Sequence, residues 1–130
     1  MMQGYIALTI SGKCLDFDEI SKNISLEPIK TVKKGQRVAL NMEVSEEQWI
    51  YKINFIDEDF TNKINCFLLN IDSYKNYIND LLKTKKVELN CYLNSEMGQF
   101  GFTLTVEQII RIRELGLNIN FHILSYGLVE

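Results

Sequence analysis

The stretch TNKINCFLLNIDSYKNYINDLLK, residues Thr61 to Lys83, decides how the rest of the chain must be arranged. Ile64, Phe67, Leu68, Ile71, Tyr74, Ile78, Leu81 and Leu82 recur there at intervals of three and four. That spacing places them on one stripe of an α-helix, with Lys63, Asn65, Asp72, Asn76, Asn79 and Asp80 turned mostly away. It predicts a single long helix over the whole stretch. So long an apolar face needs a surface to lie on, and the flanking sequence offers strands.

Upstream, Tyr5 to Ile10 alternates, with Ile6, Leu8 and Ile10 on one side and Tyr5, Ala7 and Thr9 on the other. Ser11-Gly12-Lys13 ends that strand. Asp16 with Glu19 three residues on is a capping pair, so a short helix is expected to about Ser25, seating Phe17, Ile20 and Ile24 on the core. Pro28 stops it. The run PIKTVKKGQRVAL sets Lys30, Lys33, Lys34 and Arg37 around Gly35, an extended basic arm with one short strand, followed by a loop from Asn41 to Glu47. Trp49, Tyr51, Ile53 and Phe55 then alternate with Gln48, Ile50, Lys52 and Asn54, and Asp57-Glu58-Asp59 leads into the long helix, where carboxylates complement the positive end of the helix dipole.

Downstream, Val87, Leu89, Cys91 and Leu93 alternate, Ser95 to Gly98 reads as a turn, and Phe100, Phe102 and Leu104 resume the alternation, which predicts a β-hairpin. Thr105 and Gln108 form a second capping box, opening a helix through Ile109, Ile112 and Leu115 that ends at Gly116. Leu117, Ile119, Phe121 and Ile123 face inward on the last strand, with Asn118, Asn120 and His122 opposite. The expected fold is α+β, one domain over residues 1–130, with a single antiparallel or mixed sheet and three helices packed on one face. The expected order is β-α-β-β-α-β-β-α-β. One-sided covering follows from the alternation, since a sheet covered on both faces reads as continuous apolar runs. Leu15 to Ile20 also matches Leu104 to Ile109 position by position, either as two related strand-helix units or simply as two capped helix starts.

Composition narrows the function classes. The 130 residues are 46% hydrophobic and 24% charged, ordinary for a globular domain that buries its own core. A net charge of −3 disfavours a dedicated nucleic-acid or anionic-membrane binder, which needs clustered Lys and Arg. There is no transmembrane-length apolar run, and MMQGYIALTI reads as a first strand rather than a signal peptide. Cys14, Cys66 and Cys91 are scattered, with no C-x-x-C pair, so neither a disulfide framework nor a zinc site is expected. Three reduced thiols in the cytoplasm are.

No catalytic constellation stands out, and no metal or cofactor is expected. His122 is the only histidine and has no Ser, Cys or acid at a telling offset to make it a general base. Asp57-Glu58-Asp59 lacks the alternating ligands and glycine of a calcium loop. Lys33-Lys34-Gly35 lacks the order of a phosphate-binding loop. Two surfaces are candidates for recognition. Lys52, Asn90, Tyr92, Asn120 and His122 sit on the polar side of their strands and should stay uncovered by the helices. Cys66, Leu69, Ser73 and Tyr77 form a second, weakly apolar ridge on the long helix, open to cover by the basic arm or by another subunit.

The order of features resembles the bacterial domain of unknown function 4279 (DUF4279) family. The residues are ISG at the end of the first strand, LDFDEISKNISLEP, KKG, the lone Trp49, and LTVEQIIRIRELGLNINFHI. Gly12, Asp18, Glu19, Ile20, Pro28, Lys34, Gly35, Trp49 and Gly116 are the positions that fit. The resemblance spans nearly the whole chain and implies a small bacterial cytoplasmic protein, with no activity or catalytic residues to carry over. Some small families of this kind sit beside toxin genes as immunity proteins. The expectation is therefore a non-enzymatic binding protein, with toxin neutralisation or self-association as partner readings. The alternative is a ligand-binding or enzymatic domain on the polar sheet face.

Overall fold

The computed structural model describes residues 2–33, 37–39, 42–43, 46–56 and 59–128. In chain order the elements are β1 (Met2–Gly12), α1 (Phe17–Ile24), β2 (Lys30–Val32), β3 (Arg37–Ala39), β4 (Met42–Glu43) and β5 (Glu47–Ile56). Then come α2 (Phe60–Asp72), α3 (Lys75–Leu81), β6 (Lys86–Met97), α4 (Val106–Leu115) and β7 (Asn118–Leu128). Five strands form one mixed sheet in the order β2-β5-β1-β6-β7, antiparallel except where β7 lies parallel to β6. β3 and β4 pair separately as a two-stranded ribbon. The four helices described pack on one face. Ile20 and Ile24 of α1, Ile64, Phe67, Leu68 and Ile71 of α2, Ile78 of α3, and Ile112 and Leu115 of α4 share a core with Ile6, Leu8 and Ile10 of β1.

The single long helix is in fact two. Tyr74 N donates to Ile71 O (3.0 Å), a tightened turn, and α3 opens with Ile78 N bonding Tyr74 O (3.0 Å). Asn70, Asp72 and Ser73 are poor helix formers whose short polar side chains compete for the backbone, and their clustering locates the break. The apolar stripe survives it: Ile64, Phe67, Leu68, Ile71 and Ile78 are all buried. Tertiary packing of that face, rather than helix propensity, holds the segment down. The helix count is therefore four, not three.

The hairpin does not form either. β6 runs on to Met97, and residues 99–105 carry no regular structure. Both edges of β6 are already occupied, by β1 on one side and β7 on the other, so no ladder position is left for a returning strand. Phe102 instead plugs the end of the core, edge-on to Phe60 with centroids 5.0 Å apart and 5.2 Å from Phe121. The segment expected to loop from Asn41 holds β4, and β5 begins two residues before Trp49.

Both expected caps are present. Asp16 Oδ1 accepts from Glu19 N (3.1 Å), and Thr105 and Gln108 bond reciprocally (3.0 and 3.2 Å). α4 ends at Gly116, left-handed at φ 72°, where only glycine is unstrained. Along its first turn Gln108 is buried and Ile109 is 52% exposed. The cap explains this, because Gln108 is committed to Thr105 N through Oε1 and to Thr61 O through Nε2 (2.8 Å). Satisfied on both atoms, it can be buried without penalty and turns Ile109 out. Of the acidic triplet only Asp59 is described; it caps α2, accepting from Thr61 N (2.9 Å). Trp49 is fully buried and donates from Nε1 to Ser21 Oγ (3.0 Å), tying α1 to the sheet. No helix among the described residues is long and apolar enough to cross a membrane.

Leu68 and Ile71 sit at the contact between α2 and the sheet, so truncating either to Ala is expected to cost about 2–5 kcal/mol, whereas Leu69→Ala, 45% exposed, should stay within about 0.5 kcal/mol. Urea melts of the three variants check this. Equal losses at Leu68 and Leu69 would mean the stripe faces elsewhere.

Candidate functional site on the open sheet face

Side chains alternate along a strand, so residues out of phase with Ile6, Leu8 and Ile10 share the opposite face of the sheet. The register lines them into rows. Lys52, Ala7, Asn90 and Asn120 form one; Asn54, Tyr5, Tyr92 and His122 form the next. Lys52, Asn90, Tyr92, Asn120 and His122 are thus brought together from three strands, and the helices that fill the core lie on the other side.

These side chains touch in an ordered way. Tyr5 stacks on Tyr92 with centroids 4.3 Å apart, Tyr92 stacks on His122 at 4.3 Å with only 8° between planes, and Lys52 Nζ sits 4.4 Å from the Tyr5 centroid. The result is a ladder, Lys52-Tyr5-Tyr92-His122, crossing β5, β1, β6 and β7. Beside it runs a polar network. Asn120 Nδ2 donates to Glu88 Oε2 (2.8 Å) and to Asn90 Oδ1 (3.1 Å), Asn90 Nδ2 donates to Thr9 Oγ1 (3.2 Å), and Lys86 pairs with Glu88 (3.4 Å). His122 Nε2 lies 3.4 Å from Asn90 Oδ1, an amide and not a carboxylate. Burial raises the Tyr5 phenol above its usual range, and the neighbouring Tyr92 raises it further. Tyr5, Thr9 and Glu88 complete the surface but were absent from the sequence candidates; the alternation assigns them to this face, and only the register between strands makes them neighbours.

Gly4 sets how closely β1 and β6 approach beside the ladder. It has φ 156°, and a Cβ there would overlap the Tyr92 carbonyl. Because the rings stack on one another and Lys52 Nζ lies over Tyr5, most of the ring faces are spent internally. Such a comb differs from the aromatic platforms that present free ring faces to nucleobases. The hollow between Tyr5, Lys30, Ile50, Lys52 and Tyr92 has a volume of about 200 Å³, below the roughly 300–1,000 Å³ of small-molecule pockets.

The ridge on the long helix is not one surface. The break after Asp72 places Tyr77 on α3, where it packs on the core and hydrogen-bonds Asn23 of α1. Its phenol is raised by burial and then by Glu19. Among the described residues α1 supplies a contact to Tyr77. Cys66 and Leu69 remain exposed, and Cys66 lines a groove of about 560 Å³ with Ile53, Asp59, Asn62, Lys63 and Asn70. Lys33 lines a separate cleft of about 750 Å³ with Cys14, Asp16, Asp18 and Glu47, while Lys34 and Gly35 lie outside the described residues. Cys91 is buried, and burial pushes its thiol up to about 12. Among the described residues no group of three or more His, Cys, Asp or Glu could hold a metal ion.

A family model described as "Domain of unknown function (DUF4279)" matches residues 2–126. No curated protein and no solved structure matches the chain.

Two outcomes follow from the side-chain environments. Iodoacetamide at pH 8 should modify Cys14 and Cys66 in the native protein and reach Cys91 only after unfolding, because a thiol is nucleophilic only as its thiolate; intact mass reads the adduct count, and three native adducts at equal rates would contradict the burial. Tyr5 has a folded pKa above its unfolded value of about 10. Its contribution is therefore complete below that pH and is lost as pH rises through the folded pKa. Urea midpoints should fall more steeply above that pH in the wild type than in Tyr5→Phe, and identical slopes would show that the phenol is free.

Proposed function

The chain belongs to the DUF4279 family, and we propose that it is a non-enzymatic binding domain that engages a protein partner through the open face of its sheet. The observation that carries this reading is the Lys52-Tyr5-Tyr92-His122 ladder with its flanking amides, a stacked row, half-buried except at His122, on a face that the helices leave open. Rotamers held by stacking lose little entropy when a partner docks, and Tyr side chains are favoured contact residues for the same reason. A flat, ordered surface with a hollow of only about 200 Å³ suits a macromolecule better than a small ligand. A small molecule finds better-sized space in the groove beside Cys66 than on the sheet face.

The biological setting we infer is toxin neutralisation in the bacterial cytoplasm. Scattered thiols support the compartment, and the absence of a nucleophile-base pair on the face supports a blocking rather than a chemical role. The test is protection. Cells expressing the product of the adjacent gene should be rescued by the wild-type chain and not by Lys52→Glu or Tyr92→Ala, provided each variant keeps its far-UV circular dichroism. Tyr92→Ala removes two stacks, each worth about 0.5–1.5 kcal/mol, so its fold must be verified at the assay temperature. Rescue by both folded variants would remove the sheet face from the binding surface.

A further inference from the structure

The two edges of the sheet are built differently. On one side β2 is three residues long, preceded by Pro28 and carrying Lys30, and the stretch of β5 beyond it carries Lys52. Short strands, prolines and lysines are the usual means of blocking edge pairing. On the other side β7 runs for eleven residues, pairs only with β6 among the described residues, and contains no Asp, Glu, Lys or Arg. Nothing in its composition protects that edge.

Both layers of the fold are also unfinished there. Ile123 is in phase with Ile119 and Phe121, which pack on the core, yet it is 56% exposed. On α4, Arg111 and Glu114 face α2 and α3 through Asp72 and Lys75 (3.6 and 3.9 Å). At about 100° per residue Ile109 falls on the opposite flank, which looks past β7. It is 52% exposed. α4 packs on the same face of the sheet that Ile119 and Phe121 point to, so both exposed isoleucines lie on the helix side of the molecule. On the open face, Leu124 is 56% exposed next to His122, whose outer ring face ends the ladder.

We propose that this edge is a homodimer interface in which β7 pairs antiparallel with β7 of a second copy, extending the sheet from five strands to ten. A lone peptide strand would satisfy the backbone but leave Ile109 bare; a second copy brings a strand and a helix at matching heights by symmetry. A two-fold axis through Ile123 sets Ile123 against itself on the helix side and His122 against Leu124 of the second copy on the open side. The uncharged strand puts no like charges opposite one another. An edge about 36 Å long and about 10 Å deep, with α4 about 15 Å long and 10 Å across behind part of it, offers on the order of 500 Å² per copy, about the ~1,000 Å² in total that a specific interface needs. The proposal does not rest on the partner-binding reading, since pairing at the edge leaves the ladder face open.

The test is the mass of the full chain in solution. Light scattering and sedimentation equilibrium should give a dimer, twice the chain's 15.1 kDa. Ile123→Lys, an inward-pointing edge lysine, and Ile109→Glu should each yield a monomer with an unchanged circular dichroism spectrum. If Ile123→Lys fails to fold, the surface variant Ile109→Glu decides alone. A wild-type chain that is monomeric at high micromolar concentration, or a dimer that survives either folded variant undiminished, overturns the proposal.

Discussion

The register of β1 between β5 and β6 is the constraint on which the rest of the molecule depends. β1 is paired along ten residues on each side, and Ile6, Leu8 and Ile10 are fully buried beneath the helices. A slip of one residue would turn Tyr5, Ala7 and Thr9 into the core and push three large aliphatic side chains into water. With register locked, every other strand inherits its parity, and the same alternation that fills the core composes the opposite face. Core and candidate site are two readings of one hydrogen-bonding pattern.

That coupling explains why the open face is ordered although the helices lie on the other side of the sheet. Stacking across adjacent strands contributes about 0.5–1.5 kcal/mol per aromatic pair, and an exposed cation over a ring about 0.5–1 kcal/mol. Each term is small beside the core, but together they hold four side chains from four strands in one arrangement. The close approach of β1 and β6 at Gly4 belongs to the same device, since a side chain there would separate the strands that carry Tyr5 and Tyr92. The edges follow a different logic. A central strand is satisfied by its neighbours, whereas β7, paired only with β6 among the described residues, ends the sheet with apolar side chains on both faces.

Much of the architecture was legible locally. The alternation of β1, β5, β6 and β7, the caps at Asp16 and Thr105, the left-handed Gly116 and the inward stripe at Ile64, Phe67, Leu68, Ile71 and Ile78 all depend on residues within a few positions of one another. The same is true of the polar parity of Lys52, Asn90, Tyr92, Asn120 and His122. Short-range sterics and periodic burial are written in adjacent residues, and they need no knowledge of the partner strand.

What only the tertiary structure decided is how many neighbours each element has. Phe100 to Leu104 alternates like a strand, but both ladders of β6 were taken, so its aromatics cap the core instead. The apolar stripe of residues 61–83 reads as continuous, yet its helix breaks at Ser73 because packing preserves the face and not the hydrogen bonds. Ile20 and Ile109 occupy matching places after their caps, and one is buried while the other is exposed, since Gln108 found a second partner in Thr61. Tyr5 joined Tyr92 and His122 only because strands distant in sequence lie side by side in one register. Periodicity fixes which way a side chain points; what it meets there depends on pairings that no local pattern encodes.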